Sequence, residues 1–200
     1  MARGAYTRMP VDERRRHLLE LGAELFSRHS VAELSMAEIA REAGISKALL
    51  YHYFPSKHEY FVATLQAAAA DVARRTAPDP GLAPGEALAA SLDAFLAWVE
   101  ENETAYRKLL ESAGSVPDVA ALIAAVRDAT SARILEGLGA SDAPPARAVA
   151  RGWLWFMDGA LADWLEHRDL TRTDLRDLLL GVLSGALAAA GESEPAALIR

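Results

Sequence analysis

The sequence predicts an all-α fold with a helix-turn-helix head and a larger helical body, and three observations carry that expectation. Apolar residues recur at helical spacing along most of the chain. No stretch combines apolar–polar alternation with β-branched enrichment, so no strand is expected. Glycine- and proline-rich breaks, such as "APDPGLAPGE" and "GLGASDAPP", separate the periodic segments.

The elements follow in order. A first helix is expected from about Asp12 to His29, with Leu18, Leu21 and Leu25 on one stripe and Phe26 beside it. Ser35 and Glu38 form the Ser-x-x-Glu capping box that opens a second helix. Ala43 ends it, and Gly44 stands where a left-handed residue is wanted. Ser46 can cap a third helix, about Lys47 to Tyr53, which Pro55 stops. Ser56 and Glu59 repeat the capping box for a fourth helix reaching about Thr76. Beyond the first long break come helices near Gly85–Asn102, Tyr106–Ala113 and Pro117–Leu138. After the second come Pro145–His167 and a last helix from Arg172 to Gly191, which makes nine. The head is expected to cover residues 1–61 and the body 62–200.

Composition narrows the class. With 200 residues, 52% of them hydrophobic and 24% charged, the chain suits one larger globular domain or two small ones. It has no cysteine, which excludes disulfides, thiolate metal sites and cysteine nucleophiles. "MARGAYTRMP" has arginines but no apolar run, so no secretory signal is read there. The most lipid-like segment, Leu178–Ala190, falls short of the roughly 20 residues a spanning helix needs. A soluble, cytoplasmic protein with no membrane partner is expected.

The net charge of −7 hides an asymmetry. Residues 1–61 carry nine Lys/Arg against eight Asp/Glu, or +1, and residues 62–200 carry twelve against twenty, or −8. Local placement of cations, not the total, governs binding to a polyanion.

The stretch "SMAEIAREAGISKALLYHYFPSK" has the spacing of a helix-turn-helix over about residues 35–54. In that geometry the second helix enters the major groove. Its period turns Ile45, Leu50 and Phe54 inward and leaves Ser46, Lys47, Leu49, His52 and Tyr53 towards solvent, with Tyr51 at the boundary. Such a donor-rich face suits phosphate and base contacts. Spacing alone leaves a helical hairpin with an ordinary wet face equally open.

The residues add more. "GISKALLYHYFPSKHEYF", with the "IAREAGIS" core before it, closely resembles the signature of the TetR family of bacterial transcription regulators over about Val11–Phe61. The resemblance implies a homodimeric repressor that binds a near-palindromic duplex DNA operator and is released by a small-molecule effector, with no resident cofactor or metal. By position it places Lys47, Tyr51, His52 and Lys57 against DNA, with Ser35 and Ser46 at helix starts that favour phosphate. Arg3, Arg8 and Arg14 to Arg16 are further phosphate candidates. Ala37 and Leu49 depart from the pattern, standing where many relatives place polar base readers. Leu49 can pack on a thymine methyl but cannot donate a hydrogen bond.

In the body the resemblance implies that the last two helices dimerise. Gly181 and Gly185 give a spacing that lets backbones approach closely, flanked by Leu178, Val182 and Leu183. With Trp153 and Trp164 on the preceding helix, Leu178, Gly181, Val182 and Gly185 are the candidate dimer residues. Phe95, Trp98, Tyr106, Trp155, Phe156 and Asp158 are the candidate effector residues, since aromatic walls with a few polar groups suit a pocket. For each aromatic, plain core is the competing reading. Asp158 lies on the apolar stripe of Leu154, Leu161 and Leu165, and Arg151 two turns earlier is its expected partner.

No catalytic constellation appears: no Glu-x-x-His pair, no His-Glu-x-x-His, no glycine-rich phosphate loop and no Gly-x-Ser-x-Gly. An enzyme is not expected. A helical protein-interaction module without specific DNA binding is the alternative.

Overall fold

The computed structural model describes residues 10–113 and 116–192. Among them it forms nine helices and no strand. They are α1 Val11–Arg28, α2 Met36–Glu42, α3 Lys47–Tyr53, α4 Lys57–Arg75, α5 Pro84–Glu101, α6 Glu103–Ala113, α7 Pro117–Gly137, α8 Pro144–His167 and α9 Arg172–Ala189. Each lies within a few residues of its expected bounds because the caps and breakers that set them are local. Arg3 and Arg8 lie outside the described residues. The chain divides within α4 into two compact units, Met1–Ala68 and Ala69–Arg200.

In the first unit α1 buries Leu18, Leu25 and Phe26 against an aromatic group from α3 and α4. Phe26 meets Phe61 edge-on at 4.9 Å, and Phe54 meets Tyr60 at 4.8 Å. The Tyr60 hydroxyl donates to the Leu18 carbonyl, and burial raises its pKa. Thr64 donates to the Tyr60 carbonyl at 2.8 Å. Gly22 makes this packing possible. A Cβ there would stand 2.5 Å from Thr64 Oγ1 and 2.8 Å from the Tyr60 hydroxyl.

In the second unit α8 is the central element, packing against both α7 and α9, while α5 packs on α9. Leu96 and Val99 of α5, Leu154 and Leu161 of α8, and Leu179 and Leu183 of α9 are buried in one core. Arg172 at the start of α9 ties it to α5 through Asp93 at 3.3 Å and Glu100 at 3.0 Å. No helix among the described residues is long and apolar enough to cross a membrane.

Candidate nucleic-acid interface and effector site

The turn between α2 and α3 is built by short-range chemistry. Ser35 accepts from the Glu38 N–H at 3.2 Å and Glu38 accepts from the Ser35 N–H at 2.8 Å, completing the capping box. Hydrogen bonds to the carboxyl from the Ser35 hydroxyl and then from the Ser35 N–H hold Glu38 below its ordinary pKa. At the other end Gly44 takes φ +64°. Its N–H donates to Arg41 O at 3.1 Å and the next N–H, from Ile45, donates to Ala40 O at 3.0 Å. That pair of bonds closes a Schellman turn, and the left-handed residue it requires is glycine. Ser46 then caps α3 by accepting from Leu49 N–H at 3.1 Å. At α4, Ser56 accepts from Glu59 N–H at 3.0 Å, while Glu59 turns back to the Ser56 hydroxyl at 3.3 Å instead of its N–H.

Leu50 and Phe54 anchor α3 in the core of the first unit. Ser46, Lys47, Tyr51 and His52 are exposed, with Tyr51 at 41%. Leu49 and Tyr53 are only half-exposed, because a helix of 7 residues between two core contacts has a narrow free flank. The Lys47 ammonium lies over the Tyr51 ring at 5.7 Å. Lys57 is half-buried and donates to the Leu34 carbonyl at 2.9 Å. Ser35, Lys47, Tyr51 and Lys57 line one open groove of about 370 Å³, together with the other residues from Ala32 to Ala37. Two ammonium groups, a phenol and a helix N-terminus line this groove and suit an anion, while Glu33 adds a carboxylate to the same lining. Arg15 stacks over Phe54 at 5.3 Å, and Arg16 is exposed.

In the body, the structure brings together four of the six candidate effector residues. Phe95, Trp98 and Tyr106 form one aromatic group with centroids 6.1–6.4 Å apart. Tyr106 is buried and donates to Asp158 at 2.9 Å. Burial and, after it, the Asp158 charge raise the Tyr106 pKa, so the phenol stays a donor. Asp158 does not pair with Arg151. Its partner is Arg127 of α7, while Arg151 pairs with Asp128. Residues seven apart on a helix lie two turns apart along its axis, whereas α7 lies directly beside α8. Arg127 escaped the sequence reading, although it stands alone as a cation in "AALIAAVRDA".

The tryptophans divide by exposure. Trp153 and Trp164 are 5% and 2% exposed, and their indole N–H groups donate to Leu179 O and Leu170 O, each at 2.8 Å. They belong to the core of their own subunit and offer no free face. Trp155 and Phe156 are instead 65% and 42% exposed. With Gly152 and Gly159, also exposed, they form one stripe of α8. On α9, Leu178, Gly181 and Gly185 are exposed and Val182 is half-buried against the core.

This fold and this head define a class, that of helix-turn-helix regulators. Residues 18–64 match the family profile described as bacterial regulatory proteins, tetR family, and residues 84–184 match the tetracyclin repressor-like C-terminal domain. The HTH-type transcriptional activator FasR of Mycolicibacterium smegmatis is 30% identical over 170 residues, covering 80% of this chain and 76% of the relative. The crystal structure of a tetR-family transcriptional regulator from Streptomyces coelicolor superposes with a TM-score of 0.77 at 32% identity, over 95% of this chain and 88% of that one. A TetR-like transcriptional regulator from Rhodococcus sp. RHA1 gives 0.71 and 29%, over 90% and 99%. The chain belongs to the TetR family and is a DNA-binding transcriptional regulator.

Proposed function

We infer that this protein is a cytoplasmic homodimeric repressor, without catalytic activity, that binds a near-palindromic operator and leaves it when a small molecule occupies the body. The groove that gathers Ser35, Lys47, Tyr51 and Lys57 beside the exposed flank of α3 carries this reading. It seats a backbone phosphate while α3 enters the major groove, with Lys47, Leu49, His52 and Tyr53 nearest the bases. Arg14, Arg15 and Arg16 add charge from α1.

Two copies pair through Trp155 and Phe156 of α8 with Leu178, Gly181, Val182 and Gly185 of α9. Exposed aromatics beside exposed glycines suit close helix packing across a two-fold axis. The effector lies against Phe95, Trp98 and Tyr106, and favours a body conformation unsuited to DNA.

Selection of bound sites from random duplex DNA tests the reading. An inverted repeat with steep salt dependence is expected. Equal retention of all sequences would leave only non-specific binding. The description of the M. smegmatis relative as an activator favours a second sign of regulation. Transcription in vitro from a promoter carrying the selected site decides: added protein is expected to lower the transcript, and a rise would replace repression with activation.

A further inference from the structure

The body holds one cluster whose bonding is incomplete. Arg127 of α7 binds Asp158 of α8 through Nη2, and Asp158 also accepts from the Tyr106 hydroxyl. The Trp155 ring covers the guanidinium at 4.0 Å. The side chains of Arg127 and Asp158 retain only 20% and 19% of their accessible surface. A guanidinium has five N–H donors. Among the described residues, only Nη2 of Arg127 has a bonding partner. No fully buried side-chain nitrogen or oxygen lacks a partner among the described residues. Phe95 and Trp98, stacked within 17° of parallel, lie against Tyr106 on the same cluster.

We propose that Arg127 anchors the carboxylate of a flat aromatic effector, and that Asp158 is the internal competitor holding the guanidinium when the effector is absent. This rests on the effector-responsive reading above and names the ligand class. The charges decide the sign. An ammonium would have to draw Asp158 away from Arg127 and then face an unpaired guanidinium in a half-buried place. A carboxylate engages the edge of the guanidinium that Asp158 does not hold, takes over Nη2 from it, and leaves the Tyr106–Asp158 bond intact. The planar fork of arginine matches two carboxylate oxygens, and stacking under Trp155 fixes its plane. Half-burial also favours a monoanion over a doubly charged phosphate, whose desolvation costs more. Competition supplies the differential binding that a shift in conformation requires, because Arg127 joins α7 to α8 and lies under Trp155 on the face assigned to the partner.

The test uses the full-length dimer, its selected operator and a panel of aromatic acids: benzoate, 2-naphthoate and indole-3-carboxylate. Each is paired with the alcohol and the ammonium compound of the same skeleton. Calorimetry gives affinity, and fluorescence anisotropy of labelled operator gives release. At least one acid is expected to bind and release DNA, and to bind about tenfold tighter than its neutral and cationic counterparts. Arg127→Met should lower acid affinity by about tenfold or more, and Arg127→Lys should fall between. Asp158→Asn should strengthen acid binding several-fold, whereas a merely structural pair would show no such gain. Preferred binding of the ammonium compounds, wild-type affinity in Arg127→Met, weakened acid binding in Asp158→Asn, or a panel in which no acid binds would each overturn the proposal. Release by an alcohol or an amine would do so while sparing the effector-responsive reading. Failure of every compound class to release the operator would count against both.

Discussion

The head places its polar groups by near neighbours in the chain, and the body places them across helices. Ser35 is oriented by Glu38, and Ser46 by the N–H of Leu49, each three residues away. In the body, Tyr106 reaches Asp158 across 52 residues of sequence and Arg127 reaches it across 31. A side chain oriented by a cap within one turn is readable from a short motif. A pair formed between α7 and α8 depends on how two helices rotate against each other, and no local pattern fixes that rotation. Lys57 and Tyr60 are the head's exceptions, since they are held by carbonyls 23 and 42 residues earlier.

The sharpest way to separate the regions is to break the body while sparing the head. A Cβ at Gly181 or Gly185 would meet nothing within 4 Å in its own subunit. Gly181→Arg with Gly185→Arg should therefore leave helicity and melting nearly unchanged but give monomers in sedimentation velocity. Losing the second head should weaken operator binding by roughly 10³-fold. An intact dimer would move the interface off α9.

Next in size is the reverse experiment. Tyr51→Ala with Lys57→Ala should lower affinity by about 100-fold on every duplex tested and flatten the salt dependence, while sedimentation still reports the wild-type oligomer. Lys47→Ala or Leu49→Ala should instead change which sites are selected. Unchanged anisotropy titrations for both sets would place the DNA-facing flank elsewhere.

Gly22→Ala tests the head's packing rather than its contacts. The added methyl must push Thr64 or the hydrogen-bonded Tyr60 hydroxyl, and the overpacking should cost about 1–3 kcal/mol. Hydrogen exchange should show the loss in α1 to α3 and leave protection in α8 and α9 unaltered.

The smallest effect concerns acid. The Glu38 carboxyl is held below its ordinary value of 4.5 by the Ser35 hydroxyl and backbone N–H. A depressed folded-state pKa stabilises above the unfolded value, and that contribution is lost as pH falls through the folded one. Wild type should therefore lose α2 protection below about pH 4.5, and Glu38→Gln should show a flatter profile there. Matching profiles would remove Glu38 from the acid response.

Much of this molecule was legible in advance for identifiable reasons. The α2 capping box, the left-handed Gly44 and the extent of α3 each depend on residues within one turn. The exposure of Lys47, Tyr51 and His52 follows from Leu50 and Phe54 being the apolar positions of a short helix. The tryptophans are less legible. "GWLWFMDGALADWL" is apolar on several sides, so periodicity could not say which ring faces α9 and which faces outward.

The chain's own order of residues determined the helices, their ends and the flank of α3 that points away from the core. Those features depend on backbone hydrogen bonds, caps and a 3.6-residue period, all of which act over a few positions. Tertiary packing alone decided that Trp153 and Trp164 are interior, that Trp155 and Phe156 are outward, and that Asp158 meets Arg127 instead of Arg151. Those choices depend on which neighbouring helix supplies a carbonyl or a guanidinium within about 3 Å, and such a distance is settled only when α7, α8 and α9 pack.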